Sequence, residues 1–412
     1  MSSFLRYSLP ENVPCESYQT ILSFVNSHLF FVCIKVPDYQ IRPLLWRKIR
    51  QCCVRINLED ERFGREIRIR YNTIQELINT CEEDGDIFNC NGILEDCLRL
   101  FQHVLFRSLP IPEKIEYNPM DIEIPFLDPD WDYLELVHDF FLRLITCPHI
   151  RIDLLRQSIS NDFIRNYLYL FLSQDARERL IVRLVAHQLY GRLPKRRSLF
   201  RRVFGEMLSN VQQLGHRVTG VDDILTVYNS IVCGFALPIK AEHLHFLEHC
   251  LLPLHKLDGL AEFSSSLTRC LLLFIARDSS LSSTVCVRFW TDDQILRGIL
   301  HYWPRSNSQN EIILIDEIEK IIQTMNGEQL GSVLPPLLHR FQQCLVAQRV
   351  LKLWDGDEFA HIVLYHDQNC TYSWKYLSSS MQQVANDCWN SQVRESAAHV
   401  ISLYMKVSSC QD

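Results

Sequence analysis

The pentapeptide His245-Phe246-Leu247-Glu248-His249 fits H-x-x-E-H, the inverted zinc-peptidase pattern. There two histidines one helical turn apart ligate zinc and the glutamate serves as base. Five residues from a stretch that already holds three histidines between His243 and His249 match such a pattern readily. A zinc-dependent hydrolase built on His245, Glu248 and His249 would also need a third ligand and a cleft, so solvated helix-face residues are the expected reading. The sequence carries no P-loop, dinucleotide glycine fingerprint, G-x-S-x-G elbow or kinase signature set. Catalysis, a cofactor and a resident metal are therefore not expected of this chain.

A second chemistry is electrostatic. Arg192, Lys195, Arg196, Arg197, Arg201 and Arg202 place six positive charges within eleven residues. They read as a solvated loop and helix start, as a site for acidic or phosphorylated peptide, or as a nuclear-import patch. Phe200 is the only aromatic residue interleaved with them, so nucleic acid is not expected. Glu82, Glu83, Asp84 and Asp86, and again Asp128, Asp130 and Asp132, read as exposed acidic loops. From Arg179 to Tyr190 the spacing puts Leu180, Ile181, Leu184 and Val185 on a core side. Arg183, His187 and Tyr190 share another face at steps of four and three. Val227 and Ile231 follow one turn apart on a later helix, and then Lys240 and His243. Apolar pockets beside positive groups would suit an extended acidic peptide, although a core-facing role fits the spacing equally well.

The elements that must position these residues are helices. The chain has 412 residues, 42 Lys+Arg against 49 Asp+Glu, a net charge of -7 and 47% hydrophobic residues. That composition is globular, and its mild acidity excludes a chain-wide nucleic-acid footprint. Sixteen cysteines are scattered with no C-x-x-C pair, so they read as small buried hydrophobes in a reducing, cytoplasmic or nuclear location. The apolar run Leu22 to Val36 is interrupted by polar residues and too short to span a bilayer. Stripes recur at helical spacing: Leu134, Val137, Phe141 and Leu144; Ile312, Ile315, Ile318, Ile322 and Met325; Leu338, Phe341, Leu345 and Leu353. Asp316, Glu319 and Lys320 are left facing outward. Breakers such as Leu109-Pro110-Ile111-Pro112, Asn118-Pro119, Asp128-Pro129, Cys147-Pro148, Tyr302-Trp303-Pro304 and Leu334-Pro335-Pro336 separate them.

Paired helices recur at roughly 40 residues, the period of HEAT-type arrays. The expected fold is all-α, a HEAT-like, ARM-like helical-repeat superhelical solenoid. It would comprise a divergent extension over 1–40, one solenoid over 41–405 and a short tail over 406–412. A long inter-repeat loop is expected from Ile111 to Trp131. A two-domain helical bundle is the alternative.

Several stretches resemble a known family in order along the chain: RKIRQCCV at Arg47–Val54, FFLRLI at Phe140–Ile145, DARERL at Asp175–Leu180, HQLYGR at His187–Arg192, GFALPIKAEH at Gly234–His243, LLPLHK at Leu251–Lys256 and HYWPRSNSQNE at His301–Glu311. The sequence is similar to the B-prime regulatory subunits of serine/threonine protein phosphatase 2A. The resemblance implies a non-catalytic subunit that binds the phosphatase scaffold and catalytic subunits and recruits substrates through acidic or phosphorylated Leu-x-x-Ile-x-Glu-like motifs. It assigns His187, Tyr190, Arg197, Ile231, Lys240 and His243 to the motif groove, together with the positions of Gln188 and Val227. Tyr190 and Ile231 would help wall an apolar pocket, and His187 would meet the motif's backbone or carboxylate. Arg197, Lys240 and His243 would attract its acidic flanks. Gln188 stands where the family has Arg, a change expected to cost roughly 1.5–3 kcal/mol. Val227 replaces a usual Ile, Leu184 and Thr226 replace a usual Thr and Glu, and Ser282–Ile295 is longer than the family's loop. A diverged helical scaffold without phosphatase binding is the alternative within the same fold.

Overall fold

The computed structural model describes residues 38–53, 61–90, 92–110, 125–214, 219–257, 259–278, 281, 299–300, 303–304, 307–345 and 348–411. Most of the expected extension over 1–40, the 111–124 part of the expected loop and the Ser282–Ile295 region lie outside these residues. Among the described residues there are seventeen α-helices and no strand. The chain divides into two compact units, Met1–Phe204 and Gly205–Asp412.

In the first unit, α1 (Asp38–Cys53), α2 (Gly64–Glu83), α3 (Ile93–Leu105) and α4 (Trp131–Thr146) are followed by α5 (Ile152–Ser158), α6 (Asn161–Leu168) and α7 (Ala176–Arg192). The start of α8 (Arg197–Leu214) completes it. Gly92 opens α3 at a φ of 87°, a left-handed conformation that a side chain would strain. Ser160 Oγ caps α6 by accepting from the Phe163 amide at 3.0 Å. The expected stripe Leu134, Val137, Phe141 and Leu144 is fully buried on α4. It meets an aromatic core in which the Phe141 ring lies 4.7 Å from Phe101, 5.4 Å from Phe163 and 5.1 Å from Tyr167. α1 packs on α3, α2 on α4, and α4 on α7.

The second unit begins in α8 and continues through α9 (Val221–Cys233) and α10 (Ala241–Phe246). A π turn (Leu247–Leu251) and a 3₁₀ turn (Leu252–Lys256) extend α10. Then come α11 (Leu260–Arg277), α12 (Ser308–Ile322), α13 (Gly327–Gln343), α14 (Gln348–Leu351), α15 (Asp357–Leu364), α16 (Asp367–Asp387) and α17 (Ser391–Gln411). α9 packs on α11, α13 on α16, and α14 on α17. The starts of these partners, Val221 and Leu260, then Gly327 and Asp367, keep the roughly 40-residue period. Helices therefore pack on the corresponding helix of the next pair, which is how stacked repeats bury stripes that no isolated pair could cover. Each unit is HEAT-like helical-repeat structure rather than a bundle around one central core.

Four details differ from the sequence reading. Pro335 and Pro336 do not separate helices but lie inside α13. Pro335 is exposed and Pro336 half-buried, so the missing amide bonds fall away from the buried side of Leu334, Leu337 and Leu338. Ile312 is 45% exposed, and Leu314, Ile315, Ile318 and Ile321 form the buried side of α12. Asp316 and Glu319 are half-buried and paired with Arg349 instead of facing water alone. α17 also continues through 406–411, so those residues are helical rather than a tail.

Candidate peptide-binding residues

α7 owes its start to Asp175, whose carboxylate accepts from the Arg177 amide at 2.9 Å and forms an ion pair with the Arg177 side chain at 2.7 Å. Three residues on, Glu178 is fully buried. Arg107 donates to its two oxygens at 2.7 and 3.0 Å and to Asp128 at 2.7 Å. His138 Nε2 lies 3.3 Å from Glu178, and His138 Nδ1 lies 3.0 Å from the Tyr167 hydroxyl. Burial alone would raise the Glu178 carboxyl. The bonds and charges of His138 and Arg107 outweigh it and lower the carboxyl to about 2. This network ties α4, α6 and α7 to the segments around Arg107 and Asp128. It corrects the reading of Asp128 as a solvated loop residue, whereas Asp130 and Asp132 are exposed as expected. The sequence carried a signal for it: Asp175-x-x-Glu178 has the spacing of a helix-start box, and His138 lies on the Leu134–Phe141 stripe.

The buried side of α7 is Val182, Val185, Ala186 and Leu189. Leu180 and Leu184, expected in the core, are 47% and 48% exposed. His187 and Gln188 are exposed one turn further on. Tyr190 is half-buried, its ring 5.7 Å from Phe200 and edge-on to it. The Arg197 guanidinium lies 5.1 Å from the Tyr190 ring centroid, and its Nε donates to the Tyr190 carbonyl at 3.2 Å. Arg201 donates to the Tyr190 hydroxyl at 3.3 Å. The basic run thus divides by role. Arg192 bonds to the carbonyl of Ile145, and Arg196 to those of Ile159 and Arg156, so these two close the ends of earlier elements. Lys195, Arg197 and Arg202 are exposed.

In the second unit Val227 and Ile231 lie one turn apart on α9, but both are buried, at 2% and 4% exposure. Thr226 is half-buried and Lys240 exposed. His243 is buried, with its ring 3.7 Å from Phe235 and its Nε2 3.2 Å from a Glu242 oxygen. Its expected role toward acidic flanks is therefore already shared with an acidic neighbour. His245 and His249 stack at 4.0 Å, and His249 Nδ1 lies 3.1 Å from the His245 carbonyl. Stacked rings do not converge on one ion, and among the described residues no three His, Cys, Asp or Glu side chains gather to hold a metal.

Sequence reasoning also missed His255. It is fully buried at the end of the 3₁₀ turn, with Nδ1 2.7 Å from the Leu252 carbonyl and Nε2 2.9 Å from Glu317 on α12. Burial would lower this imidazole, but the Glu317 charge and the bonds to Glu317 and Leu252 raise it above its usual value.

Comparison with known proteins places these residues in context. Residues 32–411 match the family described as the protein phosphatase 2A regulatory B subunit (B56 family). A 56 kDa regulatory subunit delta 1 isoform from Schizosaccharomyces pombe is 28% identical over 90% of this chain and 67% of its own. The beta isoform from Rattus norvegicus is 28% identical over 90% of this chain and 73% of its own. The 57 kDa B' theta isoform from Arabidopsis thaliana is 28% identical over 91% and 75%. Among solved structures, the SYS-1/POP-1 crystal complex aligns at a TM-score of 0.34 and 11% identity, covering 89% of this chain and 63% of that one. That likeness is too slight to bear on function. The family match runs through nearly the whole chain, and the chain belongs to the B56 family of protein phosphatase 2A regulatory B subunits.

Proposed function

We propose that this chain is a non-catalytic regulatory subunit of protein phosphatase 2A that binds the scaffold–catalytic core and directs it to substrates. The observation that carries the reading is the family match across residues 32–411, together with named relatives that are themselves regulatory subunits. Hydrolysis belongs to the catalytic partner. Within the reading, substrates carry acidic or phosphorylated Leu-x-x-Ile-x-Glu-like segments. In the first unit His187, Gln188, Tyr190 and Arg197 are assigned to such a segment, and in the second Val227, Ile231, Lys240 and His243. The Arg197–Tyr190 pairing supports the first set, because a cation held over an aromatic ring offers an acidic residue both charge and an apolar surface. Exposed Lys240 supports the second. Gln188 is expected to lower affinity by about one to two decades relative to an Arg at that position.

The complex would work in cytosol or nucleus, a reading supported by the cysteines among the described residues, which stand as free thiols. Isothermal titration of the intact chain with a phosphorylated Leu-x-x-Ile-x-Glu peptide tests the motif reading. His187→Glu and Arg197→Glu should each abolish binding, and unchanged affinity in both would remove these residues from the site.

A further inference from the structure

Ser198 directly follows Lys195, Arg196 and Arg197, and no other three consecutive residues of the chain are all basic. It is the second residue of α8 and is exposed, as Lys195 and Arg197 are, whereas Leu199 and Phe200 after it are buried. A serine with basic residues on its N-terminal side is the charge pattern that a protein kinase with an acidic substrate groove selects. Arg196 is held by the carbonyls of Ile159 and Arg156, so Lys195 and Arg197 are the cations such a groove meets. Helix ends fray more readily than helix interiors, and the first turn of α8 therefore opens to a kinase at low cost.

The surroundings indicate what a phosphate there would do. Residues three and four further along a helix are neighbours, so Arg201 and Arg202 lie one turn beyond Ser198 on the same side. Arg201 donates to the Tyr190 hydroxyl at 3.3 Å, and Arg197, next to Ser198 in sequence, lies 5.1 Å from the Tyr190 ring centroid. A phosphate on Ser198 would bring about two negative charges and three acceptor oxygens into this group. Lys195, Arg197, Arg201 and Arg202 carry one positive charge each, so about half of the local charge is cancelled. An acidic peptide reaching for the same arginines would then compete with an anion that is covalently held beside them.

We propose that Ser198 is a phosphorylation site for a basophilic serine/threonine kinase, and that its phosphate occupies the arginines around Tyr190 and closes this surface to acidic peptides. The closure rests on the motif reading above; the acceptor and its pairing with arginine do not. In the transfer the Ser198 hydroxyl oxygen bonds the γ-phosphorus of ATP as the bond to the β-phosphate oxygen breaks. ADP leaves, and the hydroxyl proton passes to the kinase's catalytic base and then to water.

The intact chain is incubated with ATP and the catalytic subunit of cyclic-AMP-dependent protein kinase as the basophilic probe, and the product is mapped by mass spectrometry. Phosphate on Ser198 is expected, and Ser198→Ala should lose it; no phosphate at Ser198 overturns the proposal. Phosphorus NMR of the modified chain should show a second phosphate pKa below the usual value of about 6, because the arginines favour the dianion. A value at or above that overturns the pairing. Fluorescence anisotropy with an acidic Leu-x-x-Ile-x-Glu peptide should show binding weakened about tenfold or more by the phosphate, while kinase-treated Ser198→Ala binds as the unmodified chain does. Equal binding by both forms overturns the closure. If the folded, unmodified chain binds no such peptide, the motif reading falls and the closure with it, while mass mapping and phosphorus titration still decide the acceptor.

Discussion

Replacing Glu178 with Gln is the sharpest test of how the first unit is held together. The carboxylate is fully buried and receives two bonds from Arg107 and one from His138. Its pKa falls from the usual 4.5 to about 2. A pKa change of one pH unit corresponds to about 1.4 kcal/mol, so the ionised group contributes about 3 kcal/mol to the folded state. The sign follows from the direction. Because the folded carboxyl is lowered, the contribution is fully present above about pH 4.5, falls to roughly half by pH 3 and is gone below about pH 2. Glu178→Gln keeps the side chain's shape but leaves the Arg107 charge with Asp128 alone, a loss in the range of about 3–5 kcal/mol for a broken buried pair. Urea unfolding followed by circular dichroism at pH 7 and pH 3 measures the difference. Hydrogen exchange at pH 7 should show earlier opening of α7. A loss below about 1 kcal/mol at pH 7, or an equal loss at both pH values, would refute the argument.

Other consequences follow from the same geometry. The raised His255 imidazole contributes stability that is fully present below about pH 6.5 and is lost as pH rises through its higher folded value. His255→Gln should therefore destabilise the protein at pH 6 and less so at pH 9, read by melting temperature across that range; a pH-independent cost would count against the pair. Arg196→Ala removes bonds to the Ile159 and Arg156 carbonyls and should lower stability by about 1–3 kcal/mol in urea melts. Arg197→Ala should weaken acidic-peptide binding with little effect on those melts. Tyr404→Phe breaks the hydroxyl's bonds from Trp354 Nε1 at 3.2 Å and to Ser373 at 2.8 Å. It should cost about 1–3 kcal/mol and speed exchange in α16 and α17; unchanged exchange there would show that packing alone holds these helices. Metal analysis of the purified chain should find sub-stoichiometric zinc, and one zinc per chain would reopen the His245–Glu248–His249 reading.

Helix type and packing direction were legible because apolar spacing reports burial directly. Leu134, Val137, Phe141 and Leu144 all lie in the core, as do Leu338, Phe341, Leu345 and Leu353. Spacing fails where a helix is apolar on more than one side. On α7, Leu180 and Leu184 satisfy the core pattern as well as Val182 and Val185 do, and only the packing of α4 against α7 decides which pair faces inward. Ile312 misleads for the same reason, two residues before the buried Leu314. Charged core residues are the other blind spot. Glu178, His138, His255 and Glu317 are buried because each meets a partner far away in sequence, and a local pattern does not carry that information. Pro335-Pro336 shows the converse: a breaker signal is overridden when the lost amide bonds fall on the exposed side of an otherwise well-packed helix. At the candidate site, residue types alone did not show that Arg197 lies over the Tyr190 ring. They could not separate Arg192 and Arg196, which close carbonyls, from the exposed cations beside them.

The central claim, that this chain is a phosphatase regulatory subunit, is tested most directly by reconstitution. The purified chain is mixed with the protein phosphatase 2A scaffold–catalytic core and followed by size exclusion with mass measurement. The account predicts a stable equimolar trimer, with no phosphatase activity from the chain alone. A folded, helical chain that elutes apart from the core at micromolar concentrations would contradict it and leave a helical-repeat scaffold separated from the phosphatase.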